Sequence, residues 1–204
     1  MSYRETNMMK QLIIMTLISC LLFPATAFAD GALATVKGYS NKVLEVLRDP
    51  ALKPKSAQEV KKDRIRAVSV KMFDFTELSK RTLAVNWNKL DPEQQKEFVG
   101  LYRSLLEDAY ATKILSFSDG EVVFVKEVRF SEKTAEVQST IIRKTGEVPV
   151  YYRVILKDGA WRVYDVVIEG VSLVSNYRNQ FREILSNKSP ESLIETMRKK
   201  VAKR

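Results

Sequence analysis

The chain has 204 residues, of which 29% are charged, with a formal net charge of +9, no histidine and one cysteine. The length suits one domain that buries its own hydrophobic core. Without histidine the chain lacks the commonest general base and the commonest metal ligand, which disfavours most hydrolase and metalloenzyme functions.

The N-terminal segment has the pattern of a secretory signal. Arg4 and Lys10 precede an uncharged apolar run from Leu12 to Phe23, and Ala27-Phe28-Ala29 fits the small-x-small rule for cleavage. The run is too short for a membrane anchor, which needs about 20 apolar residues. We therefore predict a signal peptide over residues 1–29 and an exported protein.

An alternative for the same segment is a lipoprotein signal. Leu17-Ile18-Ser19-Cys20 looks like a lipobox, which would make Cys20 the lipidated first residue, but the residues after Cys20 are apolar where a lipoprotein tether is usually polar. On the signal-peptide interpretation, residues 30–204 form a single domain with a net charge of +8 and no cysteine. Such a domain depends on its hydrophobic core and not on disulfides.

Four helices are predicted before the first strand. The first spans Ala32 to Arg48 and stops at Asp49-Pro50. The second opens with a capping box at Ser56 and Glu59. The third helix is capped by Asp74 and Glu77 and carries Leu78, Leu83 and Trp87. The fourth helix starts at Asp91-Pro92 with Gln94 and runs to about Lys113.

From Glu121 the apolar residues alternate with a period of two, which predicts strands. Turn signals at 131–133, 145–147 and 158–159 divide this region into four strands of an antiparallel meander. After a bend at Gly170, a helix from Val171 to about Leu185, with Ser172 available as its cap, and a final helix capped by Ser189-Pro190 complete the chain. The predicted fold class is therefore α+β, with N-terminal helices, a four-stranded antiparallel meander sheet and C-terminal helices that can enclose a hydrophobic cavity.

Catalysis has little support in the sequence. Gly170-Val171-Ser172-Leu173 begins like a nucleophile elbow, but Val174 stands where glycine is required, and no histidine is present to activate the serine. Two carboxylate pairs, Asp165 with Glu169 and Glu107 with Asp108, are more typical of caps or solvated charge than of acid and base catalysis. We therefore expect Ser172 to cap a helix and the protein not to be an enzyme.

The positive charge raises the question of a nucleic-acid or membrane partner. Basic residues are interleaved with acidic ones along every element, which favours a mixed solvated surface and argues against nucleic acid. A positive net charge still favours encounter with anionic phospholipid surfaces. Candidates for a basic mouth are Lys80, Arg81, Lys126, Arg129, Arg143 and Arg153.

Large apolar residues occupy both faces of the third predicted strand. Val150, Tyr152 and Val154 point one way, while Tyr151 and Ile155 point the other. A sheet that is apolar on both faces needs cover on both, or an apolar ligand against one of them. Periodicity does not distinguish a filled core from a lined cavity, so both alternatives stay open at this point.

Residues 159–181, GAWRVYDVVIEGVSLVSNYRNQF, resemble the MlaC family, also called the toluene-tolerance auxiliary family. Three upstream stretches agree with the family in the same order: FDFTELSKRTLAVNW from Phe73, LDPEQQKEFVGLYRSLLEDAY from Leu90, and PVYYRV from Pro149. One departure is Ala84, where relatives often have glycine.

The resemblance implies a periplasmic phospholipid carrier that works as a monomer, without metal or cofactor. Its tails would lie in a cavity between sheet and helices, and it would shuttle lipid between an outer-membrane lipoprotein complex and an inner-membrane ABC transporter with an MCE-domain subunit. An alternative is a carrier of another amphiphile, such as a hopanoid or a hydrophobic solvent. The residues predicted to line the cavity are Leu78, Leu106, Tyr110, Val123, Val125, Val137, Ile141, Tyr152, Val154, Val166, Ile168, Val171 and Leu173. A slip of one residue in a strand would exchange half of these positions between the two faces of the sheet.

Overall fold

The computed structural model describes residues 31–203. The predicted signal peptide, its cleavage site and the alternative lipidation at Cys20 lie outside the described residues. Among residues 31–203, no helix has the length and apolar character needed to cross a membrane.

In the sequence, four helices precede the sheet and two follow it within residues 31–203. The helices before the sheet are α1 (Ala32–Arg48), α2 (Gln58–Met72), α3 (Phe75–Leu83) and α4 (Pro92–Leu115), and those after it are α5 (Leu173–Leu185) and α6 (Pro190–Ala202). Short 3-10 turns occur at Pro50–Leu52, Lys55–Ala57 and Ala84–Lys89.

Several helix starts follow the predicted capping chemistry. The Asp91 carboxylate accepts from the Gln94 backbone N–H at 2.9 Å, and the Gln94 side chain accepts from the Asp91 N–H at 3.0 Å, which closes the capping box of α4. Asp74, Ser172 and Ser189 cap α3, α5 and α6 through their side chains. These four starts are therefore fixed by local hydrogen bonds.

Other predicted boundaries are corrected. The capping box at Ser56 and Glu59 is wrong, because neither the 3-10 turn at Lys55–Ala57 nor α2 has a side-chain cap. The helix predicted to carry Trp87 ends at Leu83, because Ala84 takes a φ of +51° and turns the chain into a 3-10 segment. A positive φ at a residue with a Cβ is unfavourable, so it interrupts the helix.

The sheet has five antiparallel strands in sequential order. They are β1 (Glu121–Ser131), β2 (Thr134–Arg143), β3 (Gly146–Lys157), β4 (Ala160–Ile168) and β5 (Val171–Ser172). The hairpin turn at Asp158-Gly159 is confirmed, with φ values of +51° and +75° that match the turns favoured by twisted hairpins.

The fifth strand was not predicted, and it shifts the start of α5 from Val171 to Leu173. Glu169 and Gly170 take φ values of +51° and +81°, so they form a second two-residue reversal. The chain therefore returns along β4, where Val171 pairs with Ile168. Only after this short pairing does the helix begin.

The buried residues form two clusters. The helical cluster joins α3, α4, α5 and α6 around Phe98, Tyr102 and Phe181. The sheet cluster joins one face of the sheet to α1, with Val36, Val137 and Val154 fully or almost fully buried. Phe73, between α2 and α3, packs against both clusters and links them.

Candidate functional site

The strand register decides which residues share a face. Val137 of β2 lies opposite Tyr152 of β3, which in turn lies opposite Val166 of β4. Directly paired residues point to the same side of a sheet. We call this side the inner face, because α1 covers it and contributes Ala32 and Val36 to its cluster.

The inner face also carries apolar side chains that are only partly buried. They pack around its fully buried residues. This set consists of Leu33, Tyr39, Phe73, Phe117, Val122, Phe124, Val148, Tyr152, Leu156 and Ile168. Their accessible surface is apolar surface that a ligand can cover.

Tyr152 lies in the middle of this layer, between Val137 on β2 and Val166 on β4. Burial raises the pKa of its phenol, and the nearby Ser40 hydroxyl opposes part of the rise. The side chain is nevertheless only partly buried. Ser40 points into the same region from α1, and its buried hydroxyl has no hydrogen bond of good geometry within residues 31–203.

The predicted lining residues divide into three groups. Six lie on the inner face in or against the sheet cluster: Val137, Ile141, Tyr152, Val154, Val166 and Ile168. Four lie in or against the helical cluster: Leu78, Leu106, Tyr110 and Leu173. The remaining three are exposed at the surface: Val123, Val125 and Val171.

The positions of Val123, Val125 and Val171 in the strands explain why these residues are exposed. Val123 pairs with Thr140, whereas Val122 pairs with Ile141, so Val123 points away from the inner face. Val125 is 62% exposed and sits where the register of β1 shifts. Val171 is 60% exposed on the edge strand β5.

Sequence reasoning missed the residues that replace this group. Val122 and Phe124 are the β1 residues on the inner face, and Tyr39 and Ser40 approach it from α1. Val122, Val123, Phe124 and Val125 form an unbroken apolar run in the sequence, so neither the inward pair nor the bulge after Phe124 could be identified from it.

The opposite face of the sheet carries a buried charge network. The Asp165 carboxylate accepts hydrogen bonds from Ser172 Oγ at 2.6 Å, Arg153 Nη1 at 3.1 Å and the Val174 backbone N–H at 3.0 Å. Arg153 also donates to Glu136 at 3.3 Å. The network ties the start of α5 to β4 and β3, so the serine of the failed nucleophile elbow has a structural role as cap and linker.

The residues proposed for a basic mouth are divided between different surfaces. Arg153 belongs to the network on the outer side of the sheet, while Arg129 pairs with Glu127 at 2.9 Å on the inner side. Arg81 pairs with Glu77 at 2.7 Å and lies 4.0 Å from the centre of the Tyr164 ring. These three arginines are therefore already engaged by carboxylates.

Comparison with known proteins identifies the relatives of this chain. The family model described as MlaC protein matches residues 37–199. The intermembrane phospholipid transport system binding protein MlaC of Haemophilus influenzae is 25% identical over 122 residues, which span 57% of this chain and 57% of that protein. The alignment thus covers less than two thirds of that relative.

Two further relatives are matched over longer stretches. The toluene tolerance protein ttg2D of Pseudomonas putida is 23% identical over 152 residues, 74% of this chain and 71% of that protein. A solved structure of the phospholipid-binding protein from Ralstonia solanacearum, in complex with a phospholipid, superposes with a TM-score of 0.76 at 27% identity, covering 84% of this chain and 97% of that one.

Proposed function

Because the chain belongs to the MlaC family, we propose that it is a periplasmic phospholipid carrier and not an enzyme. It holds the acyl tails of one phospholipid between α1 and the inner face of the sheet. It exchanges this lipid with an outer-membrane lipoprotein complex on one side and, on the other, with the MCE-domain subunit of an inner-membrane ABC transporter. No nucleic acid takes part, and the carrier acts as a monomer.

The observation that carries the proposal is the partly buried apolar layer under α1. It supports binding of an apolar ligand because Tyr152 and its apolar neighbours on the inner face are only partly buried. The likeness to a solved phospholipid complex over 84% of the chain supports phospholipid as that ligand.

Physical chemistry explains why such a carrier is needed. At about 0.8 kcal/mol per methylene, two tails with ~30 methylenes cost on the order of 24 kcal/mol to expose to water. Free diffusion of a phospholipid between two membranes is therefore far too slow. The carrier has to offset most of this cost, but not all of it, or the lipid would not leave.

We propose that the tails contact the inner-face residues Val137, Ile141, Tyr152, Val154, Val166 and Ile168. Leu78, Leu106, Tyr110 and Leu173 would close the space from the helical side, where Phe73 connects the two clusters. On β1, we propose that Val122 and Phe124 contact the tails in place of Val123 and Val125.

The proposal is tested by purifying the exported protein without detergent and by measuring its mass under native conditions, followed by extraction of bound lipid. We expect one phospholipid per chain. A hopanoid or solvent in its place would support the alternative amphiphile carrier. A protein that is empty, and that takes up no lipid from vesicles, would contradict both.

A variant locates the tails. Val166→Trp adds an indole beside Tyr152 on the inner face, so we expect it to lower lipid occupancy strongly. The larger side chain should cost about 1–3 kcal/mol of stability, which a folded domain can tolerate. The matched control is Val85→Trp, since Val85 is exposed in the 3-10 segment before α4. If both variants fold and both keep full occupancy, the tails lie elsewhere.

A further inference from the structure

A second cavity, of about 530 Å³, lies where the C-terminal ends of α1 and α4 meet the start of α2. Its polar lining consists of Arg48, Lys53, Gln58, Lys61, Ser118 and Asp119. Three of these side chains are cationic and one is anionic, so the cavity carries an excess of positive charge. Nothing in the tail-binding layer accounts for this excess.

Lys61 is the decisive residue. It is only 7% exposed, although lysine is almost never buried without a charged partner. Its ammonium donates one hydrogen bond, to the Leu47 carbonyl at 3.3 Å. No carboxylate within residues 31–203 lies within 4.0 Å of it, whereas the neighbouring Lys62 pairs with Glu59 at 2.6 Å. A buried ammonium has three N–H donors, so Lys61 retains donors for an anion in the cavity.

The start of α2 adds to the positive potential through the helix dipole. Its first N–H groups are taken by the preceding 3-10 turn, since Ala57 donates to the Pro54 carbonyl at 2.9 Å and Gln58 donates to the Lys55 carbonyl. Gln58, the first residue of α2, lines the cavity.

Arg48 holds the opposite wall in place. Its guanidinium donates to the Gly120 carbonyl at 2.8 Å and to the Ser118 carbonyl at 3.3 Å. These bonds fix the loop between α4 and β1 against the end of α1. The wall is therefore preorganised, and Lys53 and Lys61 remain the cations that are open to a ligand.

The same loop connects this cavity to the inner face. Phe117 packs against the sheet cluster, and the Cα of Gly120 lies so close to Ile141 that an added Cβ would come within 3.1 Å of its side chain. A ligand with apolar tails on the inner face and an anionic group near Lys61 would thus span adjoining sites.

We propose that this cavity binds a phosphate group, held by Lys61 and Lys53 at the start of α2. Phosphate is the anion that combines several acceptor oxygens with charge, as this set of donors requires. The group can belong to the head of a bound phospholipid or to free inorganic phosphate. Only the first of these sources rests on the proposed carrier function.

The test compares the wild type with Lys61→Met, which keeps the length of the side chain without its charge, and with Lys62→Met as the matched surface control on the same helix. In one arm, inorganic phosphate is titrated into the purified protein by calorimetry at low salt. In the other, the proteins take up lipid from vesicles with equal amounts of dioleoylphosphatidylglycerol and dioleoylglycerol, and native mass spectrometry gives the ratio of the two lipids bound.

We expect Lys61→Met to lower phosphate binding, or the ratio of phosphatidylglycerol to dioleoylglycerol, by about tenfold or more, since a hydrogen bond to a charged group is lost. Lys62→Met should change neither value more than about twofold, in line with an exposed ion pair. A fall in the lipid ratio identifies the lipid head as the source, and a fall in phosphate binding alone identifies free phosphate.

Values for Lys61→Met that match the wild type in both arms would overturn the phosphate site. If no protein loads either lipid while Lys61→Met still weakens phosphate binding, the carrier function fails and the phosphate site stands. Thermal unfolding monitored by circular dichroism checks that Lys61→Met is folded, which we expect because methionine suits a buried position.

Discussion

Asp165→Ala tests the link between the outer face of the sheet and α5. The Asp165 side chain is 3% exposed and accepts hydrogen bonds from Arg153, Ser172 and the Val174 backbone N–H. Alanine removes the acceptors and leaves the donors in a buried place. The start of α5 would then lose its side-chain link to β4, while the pairing of β5 with β4 remains.

The expected loss in free energy of unfolding depends on which hydrogen-bond partners each donor keeps. Arg153 retains Glu136 at 3.3 Å and is partly exposed to water, and Ser172 Oγ still caps α5 at the Ser175 N–H at 3.0 Å. The Val174 N–H loses its partner entirely, which costs about 1–3 kcal/mol. Breaking a buried charge pair costs about 3–5 kcal/mol when neither side is solvated, so the partial exposure of Arg153 lowers that contribution. We expect a total loss of about 3 kcal/mol.

Urea unfolding followed by tryptophan fluorescence and circular dichroism measures this loss. With a slope of about 2 kcal/mol per molar urea, the midpoint should fall by about 1.5 M. Asp165→Asn keeps an acceptor for Val174 and should lose roughly half as much free energy. Glu132→Ala, in the exposed β1–β2 turn, should stay within about 0.5 kcal/mol of the wild type. A loss below about 1 kcal/mol for Asp165→Ala, or equal losses for Ala and Asn, would refute this reasoning.

Three further changes test single features of the fold. Ala84→Gly should raise the free energy of unfolding by about 1 kcal/mol, because glycine accepts the φ of +51° found there. The control Ala67→Gly, inside α2, should instead lower the free energy of unfolding by about 1 kcal/mol. A loss of stability in both variants would contradict the strain at Ala84. Asp91→Ala should lower the free energy of unfolding by about 1–2 kcal/mol, measured by thermal or urea unfolding, because it removes the cap of α4. Asp91→Asn should stay close to the wild type, and equal losses of stability in the two variants would show that the cap is not the cause. Burial raises the pKa of Glu107 above its ordinary value of 4.5, against the opposing effect of Arg103. The stability that this group contributes is therefore present below the ordinary value and is lost as the pH rises through the raised pKa. Glu107→Gln should stabilise the protein by an amount that grows over this pH window, and a gain independent of pH would contradict the raised pKa.

Features that depend on neighbours in the sequence were predictable. The capping box at Asp91 and Gln94 and the cap at Ser189 need only residues within one helical turn, so their residue types reveal them. The hairpin at Asp158-Gly159 is likewise a local signal. These elements gave the order of helices, strands and helices, and hence the fold class.

Features that depend on pairing across the sheet were not predictable. The bulge after Phe124 decides which β1 residues reach the inner face, and it arises from the register with β2. The burial of Lys61 has no signal in the sequence, because it arises from the packing of α1 and α4 around the side chain. The sequence therefore predicted that the strands carry apolar residues, but not which β1 residues point to the inner face.

The two clusters divide the stability of the domain between its helices and its sheet. In the helical cluster, the rings of Phe98, Tyr102, Tyr177 and Phe181 contact each other with centroids 5.2–5.8 Å apart, which joins α4 to α5. Such aromatic pairs stabilise a core beyond the area that they bury. Asp165 then joins α5 to the sheet. These contacts hold the helices and the sheet together away from α1, so the tail-binding layer proposed under α1 does not have to supply the stability of the fold.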